Sequence, residues 1–253
     1  MSTLRLQSGL IYGPVGSRRI GLSLGINISP TDSKHCSFNC VYCHYGWTKV
    51  LTLDLRTQPT SIVNLDELAE ALEIYDCDCQ LLDHITFSGN GEATLHPEFG
   101  RAVDIITAFR NRSAPQAKTA ILSNSSQVHR PEVRKAILKL DRRLMKIDAG
   151  DEAVFRRVNR PPADFRFDAM VSGLKALGDF ETQSIFVDGS ISNSDDAAVK
   201  SWLGVMLELK PKAVQIYTLA RPPADSEIKA VSRERMNAIF LQAKKAGLPV
   251  TLY

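Results

Sequence analysis

The stretch Ile85–Phe99, ITFSGNGEATLHPEF, changes character three times within a few residues. With His84 in front, Ile85 to Ser88 make a short β-branched and aromatic run of the length of a buried strand. Gly89-Asn90-Gly91 breaks it with turn residues. Pro97 then stands where a first helical residue would, because proline lacks only a donor that is orphaned there anyway. Strand, glycine turn and helix are the elements of a βα unit.

The same alternation spreads outward in both directions. Runs of strand character cover Leu22–Ile28, His84–Ser88, Thr119–Ser123, Leu144–Ile147, Ser184–Val187 and Ala213–Leu219. Between them lie helical stretches. Asn64 with Glu67 reads as an N-cap ahead of Leu68 and Leu72, and Pro131 as a first helical residue. Val133, Ala136, Ile137 and Leu140 share one helical face, as do Met236, Ile239, Phe240 and Ala243. Met170 to Leu177 and Ala198 to Leu209 mark two more helices. Repeated βα units imply a parallel sheet with right-handed crossovers. Asn27, Ser88, Ser123 and Asp148 fall at the C-terminal ends of four different strands, where an α/β barrel builds its site. An open sheet gathers its ligand at one switch point instead. The expected fold is therefore α/β, an incomplete (β/α)6 TIM-like barrel, in one domain over residues 1–253. Met1–Ile20 is expected to be an N-terminal extension, with no auxiliary domain at the C-terminal end.

Composition agrees with a globular chain. Of 253 residues, 44% are apolar and 23% charged, which excludes a disordered or collagen-like protein. No apolar run reaches the ~18 residues of a membrane span, and the first residues lack a secretion signal. A cytoplasmic protein without membrane association is expected. The formal net charge of +3 is too small to imply nucleic acid. It is uneven, since Arg130 to Arg166 holds eleven Lys/Arg against six Asp/Glu, a basic run read plainly as a solvated face and more sharply as a surface for RNA or an acidic protein.

The chemistry begins after the first strand, at Cys36-Ser-Phe-Asn-Cys40-Val-Tyr-Cys43. Three of the five cysteines crowd into eight positions, a pattern that favours metal over disulfides in a reducing compartment. Three thiolates can hold a [4Fe–4S] cluster and leave one iron open. They can equally hold zinc, with His35 or His44 completing a Cys3His tetrahedron. Spacing alone leaves both open.

The spacing with Tyr42 before the last cysteine resembles the cluster motif of the radical S-adenosylmethionine (SAM) superfamily. Ser88-Gly89-Asn90-Gly91-Glu92 resembles that superfamily's Gly-Gly-Glu-type motif. Tyr12–Arg19 (YGPVGSRR), Ile85–Phe99, Asp148–Pro161 and Ile216–Pro223 are similar to one branch of it, the small Fe–S oxidoreductases related to the radical SAM core of wyosine tRNA synthases. The resemblance covers nearly the whole chain and implies two cofactors, a [4Fe–4S] cluster on Cys36, Cys40 and Cys43 and S-adenosyl-L-methionine.

It also implies roles for single residues. Glu92 accepts the SAM ammonium, while Gly89 and Gly91 let the backbone approach the ligand. Asn90, Tyr42, Ser123, Asn124 and Asp148 belong to the same binding region, against the plainer reading of Ser123, Asn124 and Asp148 as turn or cap residues. Arg160 pairs with the SAM carboxylate or, failing that, with a surface acid. Tyr217 marks the strand set against adenine. Lys146 shares the parity of Asp148, and a lysine inside a barrel is expensive unless paired or used. An ion pair with Asp148 is the plainer reading and a catalytic role the sharper one. Arg18 and Arg19 are candidates for a mouth or substrate role. Cys77 and Cys79 read as a structural or bystander pair.

The resulting expectation is an enzyme that cleaves SAM reductively and takes a hydrogen atom from a substrate, with RNA, peptide and protein all open. It needs a low-potential one-electron donor of the flavodoxin or ferredoxin type. The alternatives are a glycyl-radical-enzyme activase and, more remotely, a non-catalytic Zn or Fe–S module.

Overall fold

The computed structural model describes residues 3–58, 62–75 and 79–253. Its main sheet runs in the order β1 (Ile11–Ser17), β2 (Gly21–Ile26), β5 (His84–Phe87), β6 (Lys118–Ser123), β7 (Arg142–Lys146), β8 (Glu181–Gly189), β9 (Val214–Thr218) and β11 (Val250–Leu252). From β2 to β11 every neighbour is parallel, and each strand lies beside the next one in the chain. That order has no switch point. It is the singly wound order of a partial TIM barrel and excludes the doubly wound alternative. Short strand β10 (Ile228–Ala230) adds to β8, and β3 (His35–Cys36) pairs β4 (Val50–Leu51) outside the sheet.

The six expected strands are present within a few residues of their expected limits. Two pieces differ. Residues 11–17, within the expected N-terminal extension, form a strand that pairs antiparallel with β2. Val250–Leu252 adds a further parallel strand after the sixth.

The helices are α1 (Leu65–Glu73), α2 (Phe99–Ser113), α3 (Pro131–Ile137), α4 (Glu152–Asn159), α5 (Phe167–Leu177), α6 (Asp196–Leu209) and α7 (Arg233–Lys245). Asn64 caps α1 by accepting from the Asp66 amide at 2.9 Å, and Pro131 opens α3. Pro97 falls two residues ahead of α2 instead. Helix α4, capped by Asp151, lies in a stretch for which no helix is expected. Alternate strand residues such as Ile85, Phe87, Ile121, Met145 and Ile216 belong to the main core together with helix residues such as Val103 and Trp202. Ile20, Ala120 and Leu144 form a second, small cluster with Leu122 against it. Ala120, Leu122 and Leu144 have the opposite strand parity to Ile121 and Met145, so this cluster lines the barrel interior. Among the described residues, no helix is long and apolar enough to cross a membrane.

Candidate active site

Cys36, Cys40 and Cys43 lie on the segment between β2 and α1, and all three are free thiols. Residues far along the chain hold this segment. Phe38 packs edge-on against Phe155 and Phe165, with centroids 5.4 and 5.0 Å apart. The amides of Asn39 and Val41 donate to the carbonyls of Asn159 and Val158. Ser37 Oγ lies 2.6 Å from Ser126 Oγ.

Burial pushes the thiol of Cys36 up to about 11 and that of Cys40 up to about 12. Neither ionises near neutrality unless a cation takes over its charge. Donors are nevertheless aimed at the sulfurs. Asn124 Nδ2 is 3.5 Å from Cys36 Sγ, and Asn159 Nδ2 is 3.5 Å from Cys40 Sγ. Burial opposes the charge on Lys34, yet the neighbouring Cys43 and Cys36 outweigh it and raise its pKa. Its ammonium donates to the Gly46 carbonyl at 2.8 Å. These surroundings suit anionic sulfur carrying metal.

Both histidines of the zinc alternative have partners away from the cysteines. Among the described residues, no three His, Cys, Asp or Glu side chains gather around a single ion. His35 Nε2 instead faces Ser33 Oγ at 3.0 Å, and His44 Nδ1 faces the Pro222 carbonyl at 3.5 Å. A four-iron cluster gives each thiolate its own iron and needs no such convergence. Cys79 is disulfide-bonded, and Cys77 lies outside the described residues.

The glycine turn after β5 meets the cysteine segment directly. A Cβ on Gly91 would stand 1.7 Å from the His35 carbonyl oxygen, and one on Gly89 (φ +128°) 2.6 Å from Asn27 Oδ1. Both glycines thus admit close packing of the chain on itself, a reason distinct from the ligand approach expected of them. Asn90 is spent in the same way. Its side chain accepts from the Gln7 amide and donates to the carbonyls of Gln7 and Pro30, tying the N-terminal segment to the turn.

Glu92 is buried. Its Oε1 accepts from the Thr94 amide, Thr94 Oγ1 and Ser123 Oγ, and its Oε2 from the Asn124 amide at 2.7 Å. Burial raises its pKa, and these bonds work against the rise. Oε1 is saturated, whereas Oε2 retains room for a second donor. Ser123 and Asn124 serve as partners of Glu92 and of the cysteine segment, with Asn124 Nδ2 also 2.8 Å from Ser37 Oγ.

Asp148, 1% exposed, is a hub. Oδ2 accepts from Tyr42 Oη and, at 2.9 Å, from Asn159 Nδ2. Oδ1 accepts from the Ile185 amide at 3.0 Å and pairs with Lys146 Nζ at 3.1 Å. All four acceptor positions are taken. The Lys146–Asp148 pair is the plainer of the two readings of Lys146, whose pKa rises because Asp148 and Tyr217 outweigh its burial. Arg160 lies at the C-cap of α4, pairs with Asp225 at 3.2 Å and covers Trp47. Tyr217 accepts from Lys146 Nζ at 2.9 Å, and its ring carries Arg19. Arg18 is exposed.

A family model described as the radical SAM superfamily matches residues 31–180, the span holding the three cysteines, Glu92 and Asp148. The chain belongs to the radical SAM superfamily. It is 32% identical over 238 residues to the UPF0026 protein MJ1312 of Methanocaldococcus jannaschii, covering 91% of this chain and 70% of that one. A UPF0026 protein of Helicobacter pylori is 33% identical over 153 residues, 60% of this chain and 46% of its own length. The chain thus spans less than half of that second relative. Among solved structures, TYW1 with a lysine-pyruvate adduct bound matches with a TM-score of 0.63 at 14% identity, covering 90% of this chain and 75% of that one. A radical SAM methyltransferase from Sphaerobacter thermophilus also gives 0.63, at 13% identity over 91% and 65%. These two likenesses concern the fold.

As a radical SAM enzyme, the chain uses a [4Fe–4S] cluster and SAM. Most of the charge of the basic run is paired within the fold. Eight of its eleven cations are in ion pairs, several with acids outside the run. Lys139 pairs with Asp104, Arg142 with Glu181, Arg143 with Asp179 and Arg160 with Asp225. Arg142 and Arg143 begin β7 and line a cleft with Lys118, Asp179 and Lys212, at the end of the barrel opposite Asp148. Sequence reading missed Asn159, the donor that joins Cys40, Tyr42 and Asp148. An asparagine ending a helix carries no signal of such a role.

Proposed function

We propose that this chain is a hydrogen-abstracting radical SAM enzyme whose cluster is held by Cys36, Cys40 and Cys43 and whose substrate enters at the C-terminal end of the strands. The cofactors, when bound, supply one-electron cleavage of the sulfonium and the 5′-deoxyadenosyl radical that follows. The protein supplies position and a dry site. Glu92 offers Oε2 to the SAM ammonium. Asn124 and Asn159 donate toward sulfur and stabilise its negative charge. Asp148 positions Tyr42 and Lys146 and touches no ligand itself. A low-potential donor of the flavodoxin or ferredoxin type delivers its electron beside Cys43, the half-buried member of the three.

The observation that carries this reading is the pair of amides aimed at Cys36 and Cys40, one just after β6 and one at the end of α4, beside a buried carboxylate with acceptor capacity to spare. Reconstitution with iron and sulfide under nitrogen tests it. About four irons per chain are expected, together with 5′-deoxyadenosine when SAM and a strong reductant are added. Stoichiometric zinc with no iron, or full iron with no SAM cleavage, overturns it.

A further inference from the structure

The N-terminal motif has a use that cofactor binding leaves unexplained. The turn between β1 and β2 lies at the N-terminal ends of the parallel strands and inserts into the barrel. Ile20 packs on Ala120 and Leu144 in the interior. Arg19, one residue earlier, sets its guanidinium 4.4 Å from the centroid of the Tyr217 ring. Lys146 Nζ lies 5.2 Å from the same centroid. One aromatic ring therefore carries two cations.

Their charge is not balanced. Lys146 has Asp148, which is fully engaged. Among the described residues, no carboxylate lies within ion-pair distance of Arg19, and its Nη1 is buried with no hydrogen-bond partner. A buried guanidinium nitrogen left unpaired is costly, and arginine side chains of this kind normally meet a planar anion. Two further donors point to the same place. The Lys146 ammonium has three N–H groups, of which two are spent on Asp148 and Tyr217. Tyr217 Oη accepts from Lys146 and keeps its own proton to give. Three donor groups thus gather around one ring, and the acceptors beside them, Tyr217 Oη and Asp148, serve Lys146 and leave Arg19 unpaired.

We infer that Arg19, Lys146 and Tyr217 form an anion subsite inside the barrel, which takes a carboxylate or phosphate group of the substrate. This deepens the proposed function and rests on it for the word substrate. Ile20 fills the barrel interior at the N-terminal ends of the strands, so an anion held here points the rest of the molecule toward the cysteine segment, where hydrogen abstraction would occur. Lys146 serves as a charged donor in this arrangement, since Asp148 keeps it an ammonium.

Binding measured on the reconstituted holoenzyme tests the subsite without turnover. Acetate and inorganic phosphate are titrated separately at low ionic strength, with SAM saturating, by calorimetry. One of the two is expected to bind saturably with one site per chain, and which one binds identifies the group. Arg19→Gln and Tyr217→Phe should each weaken that binding, and Arg19→Gln should do so by tenfold or more with iron content and SAM affinity at the parent level. Absence of saturable binding of either anion to the parent overturns the inference, as does unchanged binding in both variants. Equal loss of SAM affinity in Arg19→Gln also overturns it, because Arg19 would then serve the SAM carboxylate. Failure of the proposed function itself reads differently, as a parent protein without four irons or without 5′-deoxyadenosine.

Discussion

Tyr42 Oη donates to Asp148 Oδ2, so the residue before the last cysteine is fastened to the chain just beyond β7. Asn159 Nδ2 completes a triangle by donating to both. The cysteine segment is therefore set by the barrel and not by its own turn preferences. Tyr42→Phe removes one buried hydrogen bond and leaves two partners short. A loss of about 1–3 kcal/mol is expected, read as a lower urea midpoint with reduced iron retention after gel filtration. A variant as stable and as iron-rich as the parent would refute the fastening role.

Asp148→Asn leaves the Lys146 ammonium buried without an anion. Removing one partner of a buried pair costs about 3–5 kcal/mol, whereas replacing both with neutral groups is much milder. Lys146→Met combined with Asp148→Asn should therefore regain much of the stability lost by the single change. Denaturant unfolding of the three variants completes a double-mutant cycle. Strictly additive losses would show the pair to be uncoupled.

For Glu92→Gln the expected damage falls on SAM and spares iron. The amide keeps the shape and one carbonyl acceptor but loses the charge offered to an ammonium. SAM affinity should fall by at least tenfold, with four irons retained. Unchanged SAM binding in the cluster-loaded variant would remove Glu92 from the site.

How much of this was legible in the sequence depends on the kind of interaction. Six of the seven parallel strands declare themselves because each is a short apolar run bounded by turn residues. Strand β1 does not, since Gly13, Pro14 and Gly16 interrupt its pattern and four of its seven residues are exposed. The three cysteines are readable from spacing. The reason for Gly91 is not, because it lies in a carbonyl of His35 that only the fold brings near. The basic run misleads for a related reason. Its counter-charges, Asp104, Asp179, Glu181 and Asp225, arrive from other units, and a local count cannot see them.

Acid should destabilise the protein through two histidines away from the cysteines. Burial lowers the pKa of both His84 and His96. His96 Nδ1 accepts from the Glu98 amide at 3.1 Å, and Nε2 lies 2.9 Å from the Val63 carbonyl. Protonating Nδ1 would abolish that first bond. Below pH ~6.5 the unfolded chain takes up protons that the folded one refuses, so stability is full above that value and falls as pH drops. The slope is at most about 1.4 kcal/mol per pH unit for each histidine. Urea midpoints between pH 7.5 and 5.5 measure it, and His96→Gln should flatten the profile. A profile unchanged by that substitution would exclude His96 as a contributor.

Asn159 and Cys40 are 119 residues apart in the chain, and this spacing has a consequence for biosynthesis. The cysteines leave the ribosome early, and the side chain that fastens them emerges much later. At 5–20 residues per second the delay is roughly 6–24 s. During that interval the thiols belong to a nascent chain with neither Phe155 nor Asp148 to shelter them. Stable seating of iron and sulfide is therefore expected only after the fourth helix has been made.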